Sequence, residues 1–170
     1  RKHLIQACEA SLRRLRTDYI DLYMGHQPDS CVAVDETLRA FDDLVQQGKV
    51  RYVGCSNHSA WQVMKALAAS ERSGLTRYVC QQVNYSLIAR DVEHEIIPLA
   101  LDQAVGVMAW SPLSGGFLSG KYTRSKPTGE DGDRLHGFDV LPYDRQRGYQ
   151  IIDVLQAIGA VGENAGASIR

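Results

Sequence analysis

The sequence predicts an α/β protein built on a parallel sheet. Three observations carry this. Helix-like and strand-like patterns alternate through nearly all of the 170 residues, and strict strand–helix alternation is the signature of parallel strands joined by helical crossovers. The strand segments are short and apolar along their whole length, as strands covered on both faces must be. Each then turns polar or aromatic at its carboxyl end.

The first element, residues 2 to 16, reads as a helix. Leu4, Ile5, Cys8, Leu12 and Leu15 recur at helical spacing, and Arg13, Arg14 and Arg16 gather at the C-terminal end, where the helix dipole favours cations. Tyr19 to Met24 is an apolar run fit for a strand, stopped by Gly25, His26, Gln27, Pro28 and Asp29, which is turn chemistry. A second helix, roughly 33 to 47, carries Val34, Leu38, Phe41, Leu44 and Val45 as its stripe, with Gly48 placed to close it. Val50 to Cys55 is the second strand. It ends at Ser56, Asn57, His58 and Ser59, where Asn57 or Ser59 can cap a helix whose stripe is Val63, Met64, Leu67 and Ala68.

The third strand is expected over Tyr78 to Asn84. A helix from about Glu93 to Gln103 follows, with Pro98 tolerated in its first turn, where the backbone N–H has no intrahelical partner. Val105 to Trp110 is the fourth strand. A long loop from Ser111 to about Leu141 precedes a last helix, roughly 144 to 161, with Tyr149, Ile152, Leu155 and Ile158 on one face.

Composition narrows the function. Nineteen basic and twenty acidic residues leave a formal charge of -1, so nothing argues for a nucleic-acid groove or an anionic membrane surface. No apolar run approaches the roughly 20 residues that span a bilayer. Arg1, Lys2 and His3 lead into an amphipathic pattern rather than a secretory leader. Cys8, Cys31, Cys55 and Cys80 form no CxxC clip and are expected as reduced, buried thiols of a cytosolic protein. The five histidines show no zinc spacing, and no metal is expected.

The strand ends carry the chemistry. His26 follows the first strand, Ser56 and Asn57 the second, Gln82 and Asn84 close the third, and Trp110 and Ser111 the fourth. Parallel α/β sheets bind ligands at the carboxyl ends of their strands, so these residues form a candidate site. Taken singly, serine and asparagine also suit turns. The loop after the fourth strand is longer than most in compact domains. It begins Ser111, Pro112, Leu113, Ser114, Gly115, Gly116, and its glycines with Lys121 suit an anion. Gly115 to Lys121 nearly matches a P-loop, but position 122 is Tyr where Ser or Thr would hold magnesium, and no helix pattern opens there. The sequons at Asn57 and Asn84 sit at strand ends and read as chance matches.

Five stretches in order resemble the aldo-keto reductase superfamily, in particular its bacterial and potassium-channel-β-like branch. They are Ser11 to Tyr23 with His26 to Asp29, then Glu36 to Leu38, Gly48 to Asn57, Gln82 to Ser86, and Trp110 to Leu113 with Gly115, Gly116 and Ser119 to Tyr122. The resemblance implies part of a TIM-type (β/α)8 barrel, strands four to seven with their helices, occupying residues 1–170. It implies an NADP(H)-dependent oxidoreductase acting on a small-molecule carbonyl. His26 would be the catalytic histidine that hydrogen-bonds the substrate carbonyl. Ser56, Asn57 and Gln82 would hold the nicotinamide carboxamide, Trp110 would stack on the ring, and Ser111, Pro112, Leu113, Ser114 and Lys121 would line the pyrophosphate. The family's proton-donating tyrosine, with its lysine and aspartate, matches no position here. The alternative within the same resemblance is a nicotinamide-sensing regulatory subunit with vestigial chemistry. Half a barrel would expose sheet edges and interior, so these residues alone are expected to self-associate.

Overall fold

The computed structural model describes residues 1–127, 129–133 and 144–164, the side chains of 161–164 excepted. The expected loop end near Leu141 and the closing stretch from Ala167 to Arg170 lie outside the described residues. The order is α1 (Lys2–Leu15), β1 (Ile20–Gly25), α2 (Val34–Gln46), β2 (Val50–Ser56), α3 (Ala60–Ser73), β3 (Tyr78–Asn84), a 3-10 turn (Asp91–Glu93), α4 (Ile96–Asp102), β4 (Gly106–Trp110), a 3-10 segment (Ser114–Ser119) and α5 (Arg145–Asn164). The four strands form one sheet in the order β1-β2-β3-β4. Each strand thus neighbours the next in sequence, as short strand–helix–strand connections favour.

Helix ends follow local chemistry. Arg16 leaves α1 in the left-handed conformation (φ 54°). Gly48, at φ 72°, closes α2 as the sequence predicts, its N–H donating to Val45 O while that of Lys49 reaches Leu44 O. At the start of α3, Gln62 Oε1 accepts from the Ser59 N–H at 2.9 Å, which gives an otherwise orphaned donor a partner. Pro98 lies in the first turn of α4, as expected, but α4 is shorter than predicted because a separate 3-10 turn takes up Asp91–Glu93.

The chain divides into two compact units, Arg1–Val83 with Val92–Met108, and Asn84–Asp91 with Ala109–Arg170. In the first, Cys8 and Leu12 of α1, Leu38, Phe41 and Leu44 of α2, and Val63, Ala66, Leu67 and Ala69 of α3 pack with Val50, Val53, Cys55 and Tyr78 of the sheet. Phe41 is 0% exposed, and burial of such a side chain stabilises by about 1.5–3 kcal/mol. Two expected stripes need correction. Met64 and Ala68 of α3 are exposed, and Ala66, Ala69 and Ser70 take the inner face. Val63 and Leu67 are buried as expected, and the rest of the inner face is made of small residues that carry little hydrophobic signal. Leu15 of α1 is 65% exposed, since the helix ends there and its last turn passes beyond the core.

The strand pairs are parallel, Tyr23 opposite Val53 and Gly25 opposite Cys55, then Val53 opposite Tyr78, Gly54 opposite Cys80 and Ser56 opposite Gln82. Between Val53 and Gly54 the register shifts, so that β3 contains one extra residue, Val79. Val79, Tyr52 and Met108 are exposed strand side chains. Tyr52 adjoins Val53, which points into the helix-covered core, so alternation sends Tyr52 to the opposite face.

In the second unit, Ile88, Phe117, Tyr122 and Ile152 make a separate small core. The Phe117 and Tyr122 rings stack at 6.3 Å. A helical segment does open after Trp110, against expectation. It is 3-10, with Gly115 and Gly116 at φ 70° and 100° interrupting it, and glycine alone takes such angles without strain. Tyr122, which bars a P-loop reading by its identity, is 1% exposed and serves the core. On α5, Ile152 is buried as predicted, while Ile158 is 52% exposed.

Candidate functional site

In the first unit, β1, β2 and β3 end in register, so their last residues share one rim of the sheet. His26 lies just past β1 and is exposed. Ser56 closes β2 and is 2% exposed. Its hydroxyl donates to the Gln82 carbonyl at 3.0 Å, and the Asn57 N–H reaches the same oxygen at 3.0 Å. The Asn57 side chain turns the other way, where Nδ2 donates to the His26 carbonyl at 3.0 Å. Asn57 sits at φ 59°, a left-handed angle that asparagine tolerates better than most side chains. Four of the sequence-predicted residues, His26, Ser56, Asn57 and Gln82, are therefore brought together by three hydrogen bonds across three strand ends.

His58 was given no role by sequence. Its ring is half-buried, with Nδ1 2.9 Å from the Ser56 carbonyl. A carbonyl only accepts, so Nδ1 carries the proton. Burial holds the His58 pKa below its ordinary value, and the bond to Ser56 opposes this. Gln81, 1% exposed, donates through Nε2 to the His58 carbonyl at 2.5 Å. This pair fixes the turn that bears Ser56 and Asn57. The adjacent thiol of Cys55 is pushed up to about 12 by burial, and a neighbouring Cys80 adds to it.

The remaining predicted residues belong to the second unit. Trp110 is half-buried, and its carbonyl accepts from the Tyr85 N–H at 3.4 Å. Ser111 and Ser114 have φ 52° and 51°, while Pro112 and Leu113 are exposed. The Ser114 hydroxyl is buried and donates to Ser86 Oγ at 3.0 Å, and the Ser114 N–H donates to Ser111 O at 2.7 Å, so both donors of this residue serve the loop itself. Ser86 also accepts from the N–H groups of Ile88 and Ala89, which makes it the anchor of the loop's first turn. Lys121 Nζ is 2.7 Å from Asp133 Oδ1, and this bond raises its pKa. Asp133 escaped sequence reading because two residues twelve apart in an irregular segment leave no periodic trace.

A carboxamide offers one acceptor and two donors. At the rim the buried Ser56 hydroxyl donates to Gln82 O and Asn57 Nδ2 to His26 O, which leaves the half-buried residue Gln82 as the amide best placed to meet one. Glycines at positive φ with a lysine suit an anion in the second unit. No group of three or more potential metal ligands occurs among the described residues, and no helix among them is long and apolar enough to cross a membrane.

A family model described as the aldo/keto reductase family matches residues 1–169. The chain belongs to this family. Among family relatives, an uncharacterized oxidoreductase, YrpG of Bacillus subtilis, is 45% identical over 125 residues, covering 74% of this chain and 37% of its own. A putative voltage-gated potassium channel subunit beta of Schizosaccharomyces pombe is 36% identical over 172 positions, covering 99% of this chain and 49% of its own. Among solved structures, a thermostable aldo-keto reductase, Tm1743, crystallised with the inhibitor epalrestat, is similar with a TM-score of 0.63 and 36% identity, over 67% of this chain and 40% of that one. The chain thus spans less than half the length of these relatives. Its α/β fold with a four-stranded parallel sheet agrees with part of such a reductase.

Proposed function

We propose that the complete protein reduces aldehydes or ketones with NADP(H), and that residues 1–170 supply strands four to seven of its (β/α)8 barrel. The observation that carries this reading is the knot of His26, Ser56, Asn57 and Gln82 at one rim of the sheet. When bound, the cofactor supplies a hydride. On the family resemblance, Ser56, Asn57 and Gln82 would hold its carboxamide and, in the second unit, Trp110 would stack on the ring, since hydride transfer needs prepositioned atoms. The exposed imidazole of His26 donates a hydrogen bond to the substrate carbonyl oxygen. That bond strengthens as negative charge develops there, so it favours the transition state over the ground state. On the same resemblance Ser111, Pro112, Leu113, Ser114 and Lys121 would line the pyrophosphate, with Lys121, which pairs with Asp133 here, supplying the charge. The near-neutral charge gives no reason to expect nucleic acid or an anionic membrane as the partner; we place the complete protein in the cytoplasm with a small-molecule carbonyl substrate on the family resemblance.

A second reading has its own support. The fission-yeast relative named as a channel β subunit aligns with 99% of the chain, which fits a nicotinamide-sensing regulatory subunit with little turnover equally well. One experiment separates the two. The complete protein is titrated with NADPH by fluorescence, then assayed for NADPH oxidation with 4-nitrobenzaldehyde, alongside His26→Ala. The reductase reading expects turnover that falls by about 100-fold or more in His26→Ala while cofactor affinity holds. Tight binding without turnover over a broad carbonyl panel favours the sensor, and absence of binding overturns both.

A further inference from the structure

We infer that Asn57 is a positioning residue for His26, acting through the backbone at the end of β1, in addition to any contact with cofactor. The inference rests on the reductase reading for the role of His26. The β1–β2 ladder stays in register as far as Gly25 opposite Cys55. His26 directly follows β1, and its carbonyl would look to β2 for the following ladder bond. The β2 backbone no longer supplies it, because Asn57 has turned to φ 59° and its N–H goes to Gln82 O on β3. The Asn57 side chain takes the vacant duty, with Nδ2 donating to His26 O at 3.0 Å. One residue thereby ties β1 to β3 across the end of β2.

The tie matters because His26 is otherwise poorly held. It is exposed, lies in a bend, and precedes a polar turn running from Gln27 to Ser30, whose residues are exposed too. A histidine whose ring must meet a carbonyl oxygen at hydrogen-bond distance needs its backbone fixed, since small displacements of a catalytic group are costly. Asparagine meets both local demands. It accepts a left-handed φ, and it carries a donor that aspartate lacks and glycine cannot provide.

The test is a double-mutant cycle in the complete protein. Asn57→Gly keeps the backbone angle and removes the amide, and Asn57→Asp keeps the shape and removes the donor. Each is made alone and with His26→Ala, and kcat for NADPH oxidation with 4-nitrobenzaldehyde is measured at saturating cofactor. The expected result is a loss of about 10- to 100-fold from either Asn57 change in the parent and less than about threefold in the His26→Ala background, because residues acting as a unit are not additive. Equal losses in both backgrounds overturn the inference and leave Asn57 a cofactor contact only. If His26→Ala alone leaves kcat unchanged, the reductase reading of His26 fails first, and the inference falls with it. A readout without turnover accompanies the cycle. The His26 ring resonances, assigned by NMR in the protein without substrate, are expected to shift in both Asn57 variants, and unmoved resonances overturn the tie.

Discussion

Gly54 on β2 lies against the backbone of Cys80 on β3 so closely that a Cβ built on Gly54 would fall 2.7 Å from the Cys80 carbonyl oxygen. The approach occurs where β3 carries the extra residue Val79, and an unpaired insertion of this kind bends one strand towards its partner. The obstructing atom is backbone, which cannot swing aside as a side chain can. Gly54→Ala is therefore expected to destabilise the fold by about 1–3 kcal/mol, the range for forced overpacking. Urea denaturation checks this. An unchanged midpoint would show that β2 and β3 are not so closely spaced.

Two glycines of α5 give opposite expectations from one substitution. A Cβ on Gly148 would sit 2.5 Å from the Phe117 ring, whereas Gly159 has nothing within 4 Å. Alanine gains about 1 kcal/mol over glycine from helix propensity alone. Gly159→Ala is expected to keep that gain and raise the thermal midpoint. Gly148→Ala is expected to lower it, since Phe117 belongs to a small core whose other members, Ile88, Tyr122 and Ile152, leave it little room. A rise in both variants would count against the Phe117–Gly148 contact.

The four thiols divide by burial. Cys8, Cys55 and Cys80 are buried, and Cys31 is exposed. Burial raises the pKa of all three buried thiols, that of Cys55 to about 12, so each has little of the reactive thiolate at neutral pH. Among these four, a maleimide reagent applied to the native protein is expected to label Cys31, as read by peptide mass, and to reach Cys8, Cys55 and Cys80 only after denaturation. Fast native labelling in Cys31→Ser would contradict the burial of the strand thiols.

His58 sets a pH dependence. Its folded pKa lies below the ordinary value of 6.5 because burial disfavours the imidazolium. Below pH 6.5 the unfolded chain therefore takes up a proton that the folded chain refuses, and stability falls as pH drops from there towards the folded pKa, then stops falling on this account. Above pH 6.5 His58 contributes no slope. The urea midpoint of the parent is expected to decline more steeply below pH 6.5 than that of His58→Gln. Parallel profiles would show that His58 does not titrate differently on folding.

Much of the architecture was legible in advance because periodic burial writes itself into sequence. Leu38, Phe41 and Leu44 marked α2, and Gly48 marked its end, since that position needs a positive φ. On α3, Val63 and Leu67 were legible, but Met64 and Ala68 face outward and Ala66 and Ala69 inward, because small residues leave a weak hydrophobic pattern. The 3-10 segment at Ser114–Ser119 was missed because Gly115 and Gly116, read as loop residues, interrupt it without ending it.

At the site, the strand-end rule placed His26, Ser56, Asn57 and Gln82 on one rim, and the structure brings them together by hydrogen bonds. Which atoms bond could not be foreseen. The Asn57 amide bonds across thirty-one positions to His26 and the Ser56 hydroxyl across twenty-six to Gln82.

The order of elements and the residue types at the strand ends can be read from local conformational preference and from spacing along the chain. The partners came from the fold: Asn57 with His26, Ser114 with Ser86, Lys121 with Asp133, and Gly54 against Cys80. Such pairs depend on strand register and on where an extra residue such as Val79 shifts it, and register is fixed by the packing of many side chains at once rather than by any one of them.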